Sequence, residues 1–192
     1  MSEEVHTIDC DAEPFRLDTG EWGEEKTCLV EEHRKGGSFT WDSARVEMYL
    51  SEKQKSGNRC ISGDELREEL KSQSVMNATV LKYLYRSENR HLIPDEWKDG
   101  RKVCFWGTIY REDDGDLCVM FLCWYGSSGW GYGHKSVDSA FDADCPAVVL
   151  AAEVKAEQST AKPSACTGDH SHCPCCGCCT GPCYCQCCCS PM

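Results

Sequence analysis

A β-hairpin is the strongest structural signal in the chain. The stretch "RKVCFWGTIYREDDGDLCVMFLCWYG" places two β-rich runs on either side of Asp114-Gly115. An Asp-Gly dipeptide between runs of β-branched and aromatic residues is the best short-range indication of a hairpin. We therefore predict a hairpin over residues 102–125, with Asp114-Gly115 as a two-residue turn that sets Tyr110 opposite Val119.

In this register both faces of the hairpin are apolar, because side chains alternate between the two sides of a strand. One face carries Cys104, Trp106, Tyr110, Val119, Phe121, Cys123 and Tyr125. The other carries Phe105, Ile109, Met120, Leu122 and Trp124. A hairpin that is apolar on both faces belongs inside a sheet, or has one face covered by helices and the other used for binding. We expect both faces to lie in the core.

The residues around the hairpin predict an α+β fold: a small helical segment followed by an antiparallel hairpin or sheet. Apolar residues at helical spacing predict helices over residues 42–55, 63–71 and 77–87, and a third strand is predicted over 130–137. Ser62 and Asn77 fit as N-caps of the second and third helices.

The chain divides by composition into four parts. Residues 1–37 are an acidic segment that we expect to pack on the domain, and residues 38–150 form the α+β domain. Residues 151–165 are a polar, Ala/Ser/Thr-rich linker. Residues 166–192 are a cysteine-rich tail that is expected to be disordered without metal, because it has almost no apolar side chains other than cysteine.

Charge and hydropathy exclude several partners. The net charge of −12 opposes binding to nucleic acid, which depends on excess Lys and Arg. No stretch has the ~18–20 apolar residues of a membrane span. The first ten residues, "MSEEVHTIDC", lack the apolar region of a secretory signal. We expect a cytoplasmic protein, in which structural disulfides are disfavoured.

Much of the chain resembles a family of small uncharacterised proteins from uncultured bacteria. The resemblance rests on "HLIPDEWKDGRKVCFWGTIYREDDGDLCVMFLCW", on the upstream "SGDELREELKSQSVMNATVLKYL" and on "EEHRKGG", and it covers residues 7–150. It implies an α+β domain and supplies no activity. The cysteines at 104, 118 and 123, and the whole tail, depart from the family's pattern.

The tail is the main chemical signal. Eleven of the 18 cysteines lie within residues 166–189, in C-x-C, C-x-x-C and adjacent pairs that are too dense for an isolated tetrahedral zinc site. Bridging thiolates suit this density, and soft thiolates favour Zn²⁺ or Cu(I). The tail resembles metallothioneins in composition. The predicted metal ligands are Cys166, Cys173, Cys175, Cys176, Cys178, Cys179, Cys183, Cys185, Cys187, Cys188 and Cys189, with His170 and His172.

Three other interpretations of the tail stay open. Cys189 with the last three residues fits a C-a-a-X lipidation box, although Ser and Pro are poor at the aliphatic positions; lipidation would make the tail a membrane anchor. The thiols also suit reversible oxidation to disulfides. A cysteine run after a complete domain is, finally, also what a fortuitous extension without a selected role looks like.

Outside the tail, the sequence offers a binding surface and no catalytic constellation. Aromatic residues around the hairpin form a candidate surface for an unidentified protein partner; they are Trp106, Trp124, Tyr125, Trp130 and Tyr132. Packing in the core is the alternative use of these rings. Cys118 or Cys123 with His134 resembles a thiol nucleophile and its base, but thiols among large apolar residues have raised pKa values and are inert. We predict a protein that is not an enzyme.

Overall fold

The computed structural model describes residues 5–14, 28–56 and 59–151, and these residues mix helices with strands. The strands are β1 Thr7–Asp9, β2 Leu29–His33, β3 Ser38–Thr40, β4 Val46–Tyr49, β5 Ile61–Ser62, β6 Val103–Arg111, β7 Leu117–Trp124, β8 Trp130–Ser136, β9 Ala140–Phe141 and β10 Ala147–Leu150. The α-helices are α1 Glu52–Lys55, α2 Gly63–Glu69 and α3 Ala78–Tyr85. Short 3-10 helices cover Ser43–Arg45, Leu70–Ser72, Arg90–Leu92, Asp95–Trp97 and Gly126–Ser128.

A six-stranded sheet organises these elements. Its order is β4-β10-β6-β7-β8, and β2 pairs with the far half of β6. The pairing of β10 with β6 is parallel, and the other pairs are antiparallel. Two small sheets, β1-β3 and β5-β9, complete the described structure. The segment over residues 1–37, predicted to pack on the domain, therefore supplies a strand to its main sheet.

The main sheet carries a hydrophobic core on each face. One core joins α3 to the sheet through Val80, Leu81 and Leu84, which pack with side chains such as Phe105 and Leu122. The other core joins α2 and β9 to the opposite face through residues that include Leu66, Leu70, Phe141, Trp106 and Phe121. The prediction that both hairpin faces are core is therefore confirmed.

The hairpin spans the predicted residues, but its turn is wider than predicted. The Glu112 amide donates to the Asp116 carbonyl at 2.8 Å, which leaves three residues, Asp113 to Gly115, in the loop. Gly115 has φ +96°, the left-handed geometry that ends a three-residue hairpin loop. Tyr110 therefore pairs with Cys118 and not with Val119, so the predicted register is wrong by one residue.

A bulge in β6 changes the register a second time. Cys104 pairs with Phe121 and Ile109 pairs with Val119, so five steps along β6 match two along β7. The extra residues allow the Gly107 amide to donate to the Met76 carbonyl at 2.8 Å, just before α3. As a result, Tyr110 lies on the α3 face with Phe105, and Ile109 lies on the opposite face with Trp106. The prediction had the faces of these two residues exchanged.

The helix predicted over residues 42–55 is wrong. A 3-10 turn, strand β4 and the four-residue helix α1 occupy this segment. Val46 and Met48 pack against the core on the α3 face, whereas Tyr49 packs against the other core. This alternation is the period of a strand, and pairing with β10 fixes it.

The other predicted elements are present. Residues 63–71 form α2 and the start of a 3-10 turn, and the Ser62 hydroxyl accepts from the Glu65 amide at 3.3 Å. Helix α3 begins after Asn77, whose side chain accepts from the Thr79 amide. The third strand is β8.

Among the described helices, none is long and apolar enough to cross a membrane.

Candidate functional site

The predicted metal ligands of the tail lie outside the described residues. The description ends at residue 151, before the linker and before Cys166. The metal site of the tail and its expected disorder therefore stay predictions.

Two of the five predicted surface aromatics are core residues. Trp106 is 3% exposed and packs on Phe141, with ring centroids 5.0 Å apart. Its indole Nε1 is buried and has no hydrogen-bond partner among the described residues. Trp130 is 7% exposed, and its ring lies 5.2 Å from that of the half-buried Trp124. Trp106 and Trp130 are removed from the predicted surface, because the two cores bury both faces of the sheet.

The exposed aromatic area lies at β8, one of the two strands at the ends of the strand order of the main sheet. Tyr125 is 52% exposed and Tyr132 is 39% exposed. The Tyr125 ring lies directly over Gly131, where an added Cβ would sit 2.8 Å from a ring carbon. Tyr132 meets Tyr85 edge-on, with ring centroids 4.8 Å apart. The predicted surface is therefore reduced to two tyrosines and part of Trp124.

A pocket beside α3 offers little for a ligand to bind. It has a volume of about 330 Å³, and its lining includes Cys10, Arg34 and Asn77. The Asn77 amide nitrogen donates to the carbonyls of Cys10 and Arg34, and the Arg34 guanidinium donates to the Leu70 carbonyl at 2.9 Å. These polar groups already hold the fold together.

The cysteines of the described residues are thiols, and most of them are buried. Cys60 is exposed, whereas the other six are buried. Burial is the main cause that raises the pKa of five of these thiols; they are Cys10, Cys104, Cys118, Cys123 and Cys145. A raised pKa keeps a thiol protonated at neutral pH, which is the opposite of an activated nucleophile. Burial thus raises the pKa of the Cys118 and Cys123 thiols, in the direction expected from their positions.

One group of metal-ligating side chains lies at the turn end of the sheet. The Sγ atoms of Cys28 and Cys118 and a carboxylate oxygen of Glu112 all lie within 4.8 Å of one another. Cys28 immediately precedes β2, Glu112 immediately follows β6, and Cys118 lies in β7. Both cysteines are buried, and Glu112 is half-buried. Neighbouring strands therefore bring together residues that are far apart in sequence.

His134 adjoins this group from the next strand. Its Nε2 lies 3.4 Å from Oε1 of Glu112. In β8, His134 pairs with Met120 and Ser136 pairs with Cys118, so His134 and Cys118 are diagonal neighbours on one face. We refer to Cys28, Glu112, Cys118 and His134 together as the four-strand cluster.

Sequence reasoning missed the four-strand cluster although it considered two of its members. From the sequence alone, Cys118 and His134 suggest only a nucleophile and its base. The signal that would have found the cluster is the strand register, because alternation places Glu112, Cys118 and His134 on one face only with a three-residue turn. Cys28 had no signal, since no motif predicts that β2 pairs with β6.

No protein-family model matches this chain, and neither the curated proteins nor the solved structures give a match.

Proposed function

We propose that this chain is a non-enzymatic cytosolic protein that binds several soft metal ions through its tail. An α+β domain would carry a linker and a tail that is disordered without metal. The observation that carries the proposal is the density of cysteine: eleven thiols within residues 166–189. The ions would be Zn²⁺ or Cu(I), which thiolates prefer over hard cations.

The spacing of the thiols favours shared over separate sites. Single tetrahedral zinc sites use four ligands in two separated pairs with a folded spacer. The run Cys187 to Cys189 and the C-x-C steps at Cys183 and Cys185 leave no room for such spacers. A sulfur atom that bridges two ions counts as a ligand of both, so each ion can have four ligands with fewer cysteines per ion. Binding would then fold the tail around the metal, because the binding free energy replaces a hydrophobic core.

The test compares the reduced full-length chain with a full-length variant in which the eleven tail cysteines are serine. Each protein competes with a chromophoric chelator for Zn²⁺ and, separately, for Cu(I). The proposal predicts several ions per wild-type chain and the loss of most of them in the serine variant. Equal uptake by the two proteins would refute it. Anaerobic and air-oxidised samples separate metal binding from thiol oxidation, since only oxidation changes the mass without added metal.

The second candidate function is protein interaction at the edge of the main sheet. It is favoured by the position of β8, which has β7 on one side and lies at the end of the strand order. The exposed rings of Tyr125 and Tyr132 lie at this edge. An extended segment of a partner would add to β8 through backbone hydrogen bonds and contact these rings.

Cross-linking with mass spectrometry in cells tests this candidate. Cross-links from Lys135 in β8 to a partner should disappear when Tyr125 and Tyr132 are both replaced by serine. Replacement of the buried Trp106 by phenylalanine should leave them in place. Unchanged cross-links in the double variant would count against interaction at β8. A lipid mass found on Cys189 in the same experiment would indicate that the tail is a membrane anchor.

A further inference from the structure

We propose that the four-strand cluster is a zinc site in the folded domain, with Cys28, Cys118 and Glu112 as three ligands and His134 as the fourth. None of these four ligands belongs to the tail, so the site does not depend on the function proposed for the tail. The carrying observation is the convergence of two sulfur atoms and a carboxylate oxygen within 4.8 Å, with an imidazole beside the carboxylate.

The distances are close to those that a tetrahedral zinc ion requires. Zn–S bonds of about 2.3 Å and Zn–N or Zn–O bonds of about 2.0–2.2 Å place the ligand atoms about 3.3–3.8 Å apart. His134 Nε2 and Glu112 Oε1 are already 3.4 Å apart. The three atoms of Cys28, Cys118 and Glu112 would have to approach one another by about 1 Å or less. Rotation of the Glu112 and His134 side chains, which both reach the surface, would bring the carboxylate and the imidazole closer to the sulfur atoms, and rotation about χ1 of the two cysteines would adjust the distance between the sulfurs.

Strand pairing already fixes the main chain at or next to all four ligand residues. Leu29 pairs with Arg111 next to Cys28 and Glu112, and Cys118 pairs with Tyr110 on one side and Ser136 on the other. A bound ion would therefore need little ordering of the main chain, which lowers the entropic cost of binding. Four protein ligands also make a closed, structural site, with no open position for a substrate.

The types of ligand atom in the four-strand cluster favour Zn²⁺ over Cu(I). Cu(I) favours soft thiolate and thioether ligands, whereas a mixed set of two thiolates, a carboxylate and an imidazole suits Zn²⁺. Glu112 and His134 are partly exposed, with side-chain exposures of 17% and 37%, and they give the ion a path from solvent. Without metal, the four-strand cluster contains two buried thiols beside a carboxylate. The experiment below distinguishes this metal-free form from the zinc-bound form.

The experiment uses the full-length chain with the eleven tail cysteines replaced by serine, so that the tail cannot contribute thiolates. Co²⁺ titration should give one ion per chain, with a thiolate-to-cobalt charge-transfer band and the strong visible bands of tetrahedral cobalt. Zn²⁺ should then displace the cobalt and raise the melting temperature, because it binds only the folded state. No uptake of either ion at micromolar concentrations would overturn the proposal, whatever the wild-type tail binds.

Substitutions in this background assign the ligands. Cys118→Ala should abolish the charge-transfer band, and Glu112→Gln and His134→Ala should each weaken zinc binding at least tenfold. Cys104→Ala is the matched control: it removes a thiol of equal burial from the opposite face and should keep full binding. If Cys118→Ala does not fold, Glu112→Gln decides, because it keeps the shape of a partly exposed side chain. Unchanged zinc affinity in folded Glu112→Gln would overturn the site.

Discussion

At the residue scale, burial decides what the thiols of the domain can do. The pKa of Cys104 is raised well above its ordinary value of 9.0, chiefly by burial and then by the nearby Cys145. Cys60 differs from Cys104 in burial, because its side chain is exposed. The cysteines of the first 165 residues are therefore mostly packing residues. A buried thiol of the domain would lose its proton only on binding a metal ion, and the other thiols that could react are those of the tail.

This burial predicts a loss of stability at high pH. The unfolded thiol of Cys104 ionises near pH 9.0, whereas the folded thiol keeps its proton. Above that pH the unfolded state binds fewer protons, so the free energy of unfolding falls as the pH rises. Urea unfolding between about pH 8 and 10.5 should show this decline. The decline should be shallower in Cys104→Ala than in the wild-type protein; equal slopes in the two proteins would contradict the assignment.

At the element scale, local signals predicted the elements and failed where contacts between distant segments decide. The Asp-Gly turn, the caps at Ser62 and Asn77 and the apolar runs predict where the hairpin, α2 and α3 lie, although the register of the hairpin differs by one residue from the predicted one. The stretch over residues 42–55 has apolar residues that fit either period, and pairing with β10 makes its central part, Val46–Tyr49, a strand. The bulge of β6 accompanies a hydrogen bond from the Gly107 amide to the Met76 carbonyl, a contact that no local pattern indicates.

Gly107 is required by the close approach of β6 to the start of α3. An added Cβ would lie 2.8 Å from the Met76 carbonyl oxygen and 2.9 Å from the Asn77 Cα atom. Because these are backbone atoms, Gly107→Ala should lower the free energy of unfolding by roughly 1–3 kcal/mol. Gly36→Ala is the control, since its Cβ would meet Cys10 at an ordinary 3.6 Å. Equal stability of the two variants in urea unfolding would refute the close approach.

Asn77 links α3 to the N-terminal strands as well as capping the helix. Its side chain accepts from the Thr79 amide at 3.2 Å and donates to the Cys10 and Arg34 carbonyls at 2.9 and 3.0 Å. Asn77→Ala should lower the free energy of unfolding by about 3 kcal/mol, because the cap and two further hydrogen bonds of this buried side chain are lost. Asn77→Ser keeps a capping oxygen and should be intermediate. A loss of about 1 kcal/mol in Asn77→Ala, with almost none in Asn77→Ser, would reduce Asn77 to a cap alone.

At the scale of the whole molecule, the chain combines a sheet with two cores and a cysteine-rich tail of different chemistry. Composition and spacing predicted the tail as the main metal-binding segment, and that prediction needs no fold. The four-strand cluster required the fold, because its ligands lie between residues 28 and 134 and meet only through β2, β6, β7 and β8. The aromatic surface was overestimated, since composition does not separate a core tryptophan from an exposed one.

Native mass spectrometry of the full-length protein from zinc-supplemented cells tests the central claim most directly. The wild-type chain should carry several zinc ions, the variant with eleven tail serines should carry one, and that variant with Glu112→Gln should carry less than one under the same conditions. A wild-type chain that carries no zinc, or the same number as the tail variant, would contradict metal binding by the tail.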